Sequence, residues 1–234
     1  MTSHRPLPRH DAWARAFAVA AAMAIAAGGA HAQEPSYLPT GTLAATVDGV
    51  ASAFATHVTV VPEPGEAPED ARARALAGRL AGTEVATAVA IVTDPLVVGG
   101  VVAMPATLTI ELRGSVGPPV RGRADLRELV LGIRLDPETL AWTGDPDHVS
   151  VAYHPERWSG TAYYQLLDLS LLDLRVEAGS ERGLRVAGRL EATLVWREGA
   201  FQVRVDPSRT LALTLEFQVD PVIGGDTLAD LLGP

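Results

Sequence analysis

Hydrophobic and polar residues alternate along most of the chain after Gly41, and glycines and Asp-Pro pairs interrupt the alternation. A period of two places successive side chains on opposite faces of a strand, so the pattern predicts many short antiparallel strands with one apolar face each. Roughly ten such strands, with little helix to cover them, have to bury their apolar faces against one another. We therefore predict an all-β fold, an antiparallel two-sheet β-sandwich, with a closed β-barrel as the alternative.

The first hairpin is predicted from its turn residues. Asp48-Gly49 separates two alternating runs, and a tight hairpin turn needs the positive φ that glycine readily adopts. Pairing across this turn sets Leu43 opposite Phe54 and Val47 opposite Val50. One face of the hairpin is therefore expected to be apolar.

Two further turns are predicted near the C-terminus. A turn at Glu198-Gly199 would set Trp196 opposite Phe201, which keeps the apolar positions of both strands on one face. An Asp-Pro loop would then reverse the chain again and set Val205 opposite Leu211, because proline favours turn conformations.

One segment between these hairpins departs from strand. Residues 61–68 are rich in proline and acidic side chains, which do not suit a sheet interior. The following run EDARARALAGRL has helical composition, and its Glu69 and Asp70 suit the first turn of a helix. We predict one short surface helix there.

The N-terminus has the three parts of a secretory signal peptide. Arg5, Arg9 and Arg15 precede the apolar run AFAVAAAMAIAAGGA, and the small-residue pattern Ala30-His31-Ala32 follows it. The apolar run is shorter than the roughly 20 residues that a membrane-spanning helix needs. We expect cleavage after Ala32, export to the periplasm or the cell exterior, and a mature chain that does not span a membrane.

Removal of residues 1–32 leaves 202 of the 234 residues, which is enough for one sizeable core. The predicted organisation is a signal peptide over residues 1–32, a linker over 33–40, a single β-domain over 41–220 and a tail over 221–234. The leader carries three arginines and one aspartate, so its loss changes the formal net charge from −9 to −11. A surface this acidic repels phosphate backbones, which excludes nucleic acid as a partner.

The chain contains no cysteine and no lysine. Disulfides, zinc–thiolate sites, thiol nucleophiles and Schiff-base lysine chemistry are therefore excluded, and stability must come from the apolar core. The nucleophile pattern G-x-S-x-G and the glycine patterns of phosphate-binding loops do not occur either. We assign no catalytic, cofactor-binding or metal-ligating residue and expect no cofactor.

The stretch GDPDHVSVAYHPERW holds two histidines beside several carboxylates. His148 and His154 are six residues apart in a predicted strand, about 20 Å at roughly 3.3 Å per residue, so one ion cannot bind both. A smaller surface cluster of Asp145, Asp147 and His148, which His57 could approach, stays a candidate site. The ordinary interpretation is a solvated turn whose aspartates bind local backbone.

The second face of the first hairpin carries unusually small side chains. Alanine is a poor strand former, and a solvated strand face more often carries larger polar or β-branched residues. We interpret this face as one on which the proline-rich segment with its helix, or a partner chain, packs closely. Its residues are Ala44, Thr46, Ala51, Ala53 and Ala55.

By elimination, the sequence favours a non-catalytic binding or structural module of the cell envelope. Its partner would be an unidentified protein, glycan or small ligand, and the sequence does not indicate an oligomeric state. The alternative is a metal-assisted or carboxylate-based hydrolase that uses the region of Asp147 and His148.

Protein recovered from outside the cytoplasm should have an intact mass that lacks residues 1–32, because signal peptidases cut after small-residue patterns. Retention of residues 1–32 in the exported protein would contradict the predicted cleavage site.

Overall fold

Strands account for most of the residues in the computed structural model, which describes residues 36–63, 65–76, 85–98, 100–116, 127–155, 162–178, 184–199 and 203–224. In chain order they are β1 (Ser36–Val47), β2 (Val50–Val60), β3 (Val85–Ala86), β4 (Ala88–Thr93), β5 (Leu96–Val98), β6 (Val101–Met104), β7 (Thr107–Ser115), β8 (Glu128–Leu135), β9 (Val149–His154), β10 (Ala162–Ala178), β11 (Leu184–Glu198), β12 (Arg204–Val219) and β13 (Val222–Gly224). Helix α1 spans Pro68–Leu76, so the predicted short helix is confirmed. Within these ranges no helix is long and apolar enough to cross a membrane.

A single large sheet carries the fold. Eleven strands follow the order β13-β4-β7-β8-β9-β10-β11-β12-β1-β2-β3, and β5 and β6 form a separate two-stranded sheet. The all-β prediction is confirmed, but the predicted two-sheet sandwich is not, because one continuous sheet takes the place of two. Alternation reveals which side of each strand is apolar but does not reveal which strand that side will meet.

The order of this sheet is circular. Ala55 of β2 pairs with Ser115 of β7, which joins two strands that are far apart in the sheet order. Strands β7 to β12 together with β1 and β2 therefore form a closed ring of eight strands. Closure lets the sheet bury its own apolar face, so no second sheet is required.

Apolar side chains fill the interior of the ring. Strand β9 shows the pattern, since Val149, Val151 and Tyr153 are buried whereas Ser150 is exposed. The same alternation places aliphatic residues from the other ring strands in one continuous core. Its fully buried members include Leu43, Leu112, Leu129, Leu131, Ile133, Leu190, Leu194 and Leu215.

The first hairpin has the predicted register. Leu43 pairs with Phe54 and Val47 pairs with Val50. Asp48 and Gly49 form the turn with φ values of 49° and 81°. Positive φ at both central residues matches the right-handed twist of the flanking strands, which explains why this sequence signal was reliable.

The predicted turns near the C-terminus are wrong. Strand β12 begins at Arg204 and runs through the Asp-Pro stretch, so Val205 does not pair with Leu211. Leu211 pairs instead with Leu194 of β11, and Trp196 pairs with Asp206. Phe201, the predicted partner of Trp196, lies outside the described residues.

The Asp-Pro stretch forms a bulge in β12. The β11–β12 register shifts between Val195 and Trp196, whose partners are Thr210 and Asp206, so residues 207–209 stand outside the ladder. One carboxylate oxygen of Asp206 accepts hydrogen bonds from the backbone N–H (3.1 Å) and the hydroxyl (2.6 Å) of Ser208. Asp206 thus supplies the local hydrogen bonds of a turn without reversing the strand.

The ends of the domain differ from the predicted boundaries. Strand β1 begins at Ser36, inside the expected linker, because residues 36–39 pair with the end of β2. Strand β13 includes residues 222–224 of the expected tail and pairs in parallel with β4. Val222 also packs with Ala71 of α1 on Val58 and Val60 of β2. Residues 1–32, where the signal peptide is predicted, lie outside the described residues.

Replacement of Gly41 by alanine should destabilise the ring. An added Cβ would lie 2.5 Å from the carbonyl oxygen of Gln218 and 2.5 Å from the Cα of Val219, both backbone atoms of the neighbouring strand β12. We expect Gly41→Ala to lower the free energy of unfolding by about 1–3 kcal/mol in urea denaturation, the usual cost of overpacking.

Gly132→Ala is the matched control. There the nearest atom to an added Cβ is the Ser150 hydroxyl oxygen, which a rotation of that side chain removes. Its cost should stay below about 0.5 kcal/mol. Equal costs for the two variants would contradict the close approach of β1 and β12.

Candidate ligand-binding site

The turn that carries Asp145, Asp147 and His148 is held together by local hydrogen bonds. A carboxylate oxygen of Asp145 accepts the backbone N–H of Asp147 at 2.9 Å and begins a short 3₁₀ turn over Pro146–His148. Nδ1 of His148 lies 2.9 Å from the Thr143 hydroxyl, and its Nε2 lies 3.7 Å from Asp145. The side chains of Asp145 and His148 therefore have partners within the turn.

His57 is buried in β2 and does not join that turn. Its backbone N–H donates to the Thr87 hydroxyl at 2.7 Å, and its carbonyl oxygen accepts the Thr87 N–H at 2.8 Å. The Thr87 carbonyl in turn accepts the N–H of Arg113 in β7, so Thr87 links β2 to β7 where β3 and β4 enter between them. Within the described ranges, no three or more histidines and carboxylates form a group that could hold a metal ion. The four residues of the predicted cluster therefore do not make such a group.

The alanine-rich face of the first hairpin points away from the core. Ala44 pairs with Ala53 and Thr46 pairs with Ala51 across the two strands. These four side chains are exposed, and Ala55 is half-buried. Helix α1 packs further along β2, against Val58 and Val60, so the described helix does not cover this face. An external partner on it stays a prediction.

A pocket of about 620 Å³ opens at one end of the ring, where the β1–β2 hairpin and the residue before β8 meet residues of β9, β10, β11 and β12. Sequence reasoning did not identify it, because its residues come together only through the order of the strands. It is lined by Val47, Asp48, Val50, Ser52, Arg127, Tyr153, Pro155, Ala162, Tyr164, Trp196, Arg209 and Leu211.

A row of aromatic rings forms one wall of the pocket. Tyr164 of β10 pairs with Tyr153 of β9 on one side and with Trp196 of β11 on the other, so all three side chains share the inner face. The ring centroids are 6.4 Å apart for the two tyrosines and 4.9 Å apart for Tyr164 and Trp196. Phe54 continues the row into the core, 6.5 Å from Tyr153. These spacings are typical of favourable aromatic pairs.

The bulge in β12 places an arginine on this wall. Arg209 is the last of the residues that stand outside the β11–β12 ladder, and its guanidinium carbon lies 3.9 Å from the ring centroid of Trp196. A cation at this distance over an indole face is attracted by the negative face of the ring. The bulge that forms in place of the predicted turn thus brings Arg209 to the pocket.

A second arginine lines the pocket from beside β8. The Arg127 guanidinium, just before that strand, donates a hydrogen bond to the Ser52 hydroxyl at 2.9 Å. Because the neighbour of Ser52 is a cation and not a base, this hydroxyl is not activated as a nucleophile. Asp48 supplies the one carboxylate among the described residues that line the pocket. The arrangement therefore suits binding better than acid–base or nucleophilic chemistry.

The indole N–H of Trp196 is buried and has no acceptor among the described residues. A buried N–H without an acceptor costs free energy, which an acceptor on a bound molecule would recover.

Comparisons with family models, with curated proteins and with solved structures gave no match to this chain.

The buried position of His57 predicts a loss of stability in mild acid. Burial lowers the pKa of His57, and burial also lowers that of His154. Between the lowered folded-state pKa and the usual value near 6.5, the unfolded chain binds more protons than the folded one. The melting temperature should therefore fall as the pH is lowered from 7 to 5.

His57→Gln should flatten this decline, because glutamine does not titrate. Its control is His148→Gln in the exposed turn, which should decline as steeply as the wild type. Thermal melts at several pH values measure both slopes. The same slope for His57→Gln and the wild type would show that His57 is not the group responsible.

Proposed function

We propose that this chain is an exported, non-catalytic binding module of the cell envelope, and that the pocket at one end of the ring is its ligand site. The observation that carries the proposal is the joining of an aromatic wall with two arginines in one concave site. Export is supported by the N-terminal sequence alone.

The size and lining of the pocket support a small ligand. Small-molecule sites usually enclose about 300–1,000 Å³ and combine apolar walls with a few polar groups. This pocket has a volume of about 620 Å³ and apolar contributions from Val47, Val50 and Leu211 beside its aromatic row. Most of the described lining residues lie in paired strands over a filled core, which supports a site whose wall is formed before a ligand binds.

A small ligand is better supported than a glycan. Sugar rings are commonly bound by stacking on an open aromatic face, but the face of Trp196 is already covered by Arg209. A sugar would have to displace the guanidinium, with the loss of a cation–π contact.

The geometry of the described residues supports the hydrolase alternative less well. Asp145 and His148 are engaged with neighbours in their own turn, and His57 is buried in a different strand. A metal-assisted reaction would need a further ligand, and none of the described histidines or carboxylates completes such a group.

A thermal-shift screen of the mature protein against metals, sugars and small organic molecules tests the proposal. A ligand at a hundred times its Kd stabilises the folded state by about 2.7 kcal/mol, which corresponds to roughly 5–10 °C for a chain of this size. We expect such shifts from organic molecules. Ala162→Trp, which fills part of the pocket, should abolish them.

Ala53→Trp is the matched control, since it adds the same side chain to the exposed outer face of β2. It should retain every shift of the wild type, measured from its own melting temperature without ligand. Shifts that survive in Ala162→Trp would contradict the pocket as the site. A shift with zinc that disappears in His148→Ala would favour the hydrolase.

A further inference from the structure

Resting on the proposed function, we infer that the ligand of the pocket is a compact organic anion, with Arg127 and Arg209 binding its charged group and the aromatic row contacting its apolar body. Three features of the pocket support an anion: the arginines that line it, its limited depth, and the position of Arg209 over the ring of Trp196.

The pocket is locally basic in a strongly acidic chain. The formal net charge of the whole chain is −9, yet the described residues that line this site include two arginines and one aspartate. Several arginines elsewhere are paired with carboxylates, as Arg113 is with Glu128 and Arg185 is with Asp220. Neither Arg127 nor Arg209 forms a salt bridge with a carboxylate among the described residues, although Arg209 is near enough to Asp206 to help lower the pKa of that carboxyl. Both guanidinium groups keep donors that could bind an anion.

The depth of the pocket excludes a long chain. Phe54 and Tyr153 are only 2% and 6% exposed, and beneath them the ring interior is filled by fully buried aliphatic residues. An extended alkyl chain would need a channel through that core. A short, flat apolar body needs only the space between the aromatic row and the apolar residues of the mouth.

The aromatic wall excludes a cation. Arg209 already occupies the position over Trp196 that a ligand cation would take, and Arg127 adds a second positive charge nearby. An anion in the pocket would be attracted by the positive charges of both arginines. Its oxygen atoms are also acceptors of the kind that the buried indole N–H of Trp196 lacks among the described residues.

Two fluorescent probes test the charge directly on the wild-type protein. The anionic probe is 8-anilinonaphthalene-1-sulfonate, and the neutral probe is N-phenyl-1-naphthylamine, the same molecule without its sulfonate. We expect the anionic probe to bind at least tenfold more tightly, the factor that corresponds to about one charge-assisted hydrogen bond.

Arg127→Gln and Arg209→Gln should each weaken the anionic probe about tenfold and leave the neutral probe unchanged. Arg185→Gln, which makes the same change of net charge on the outer surface, should alter neither probe. Each variant is checked for an unchanged melting transition, because a loosened core also binds such probes.

Displacement of the anionic probe tests the shape. We expect 1-naphthoate to displace it and dodecanoate at the same concentration to leave it bound. The reverse result would overturn the compact shape, and equal displacement would do so too.

The experiments distinguish a failure of the anion proposal from a failure of the proposed ligand site. Equal affinities for the two probes, both lost in Ala162→Trp, would overturn the anion and leave the pocket as a ligand site. Binding of neither probe to the wild type would overturn the anion, and together with an empty thermal-shift screen it would overturn the proposed function.

Discussion

The burial of one apolar face by a single sheet is the constraint on which the rest of this structure depends. The long strands are apolar on one side, the described chain offers one short helix, and no disulfide is possible. A sheet under these conditions has to curl until its own strands face one another. The pairing of Ala55 in β2 with Ser115 in β7 closes the ring. Ladder hydrogen bonds around the ring then satisfy the backbone, and the interior excludes water.

Closure also explains why the pocket is at an end of the ring and not inside it. The interior is packed with leucine, isoleucine and valine, so it offers no space. At this end of β9, β10 and β11, the inward positions change from aliphatic to aromatic, and the bulge after Asp206 in β12 adds Arg209. A scaffold with a filled core can tolerate such changes at its rim, because rim residues contribute less buried area than core residues do.

Much of the local structure could be predicted from the sequence, but most of the pocket could not. The register of the first hairpin followed from Asp48-Gly49, and the burial of Val149, Val151 and Tyr153 followed from alternation. The Asp206 bulge could not be told from a turn, because the same side-chain hydrogen bonds stabilise both conformations. Without the strand order, Tyr164 and Trp196 could not be placed beside Tyr153. Short polar clusters such as Asp145 and His148 stand out in a sequence, whereas a pocket assembled from six strands does not.

The pairing of β1 with β12 has a consequence for how this chain reaches its native state. Gly41 near the start of the domain pairs with Val219 near its end, so the last ring contact joins almost the whole length of the described chain. Contacts of such high sequence separation form slowly, because the loop-closure entropy has to be overcome first. During synthesis the ring stays open until β12 has emerged, and β1 lacks one of its two neighbouring strands for all of that time. The order of emergence thus makes the N-terminal hairpin the part of the domain most in need of protection from aggregation.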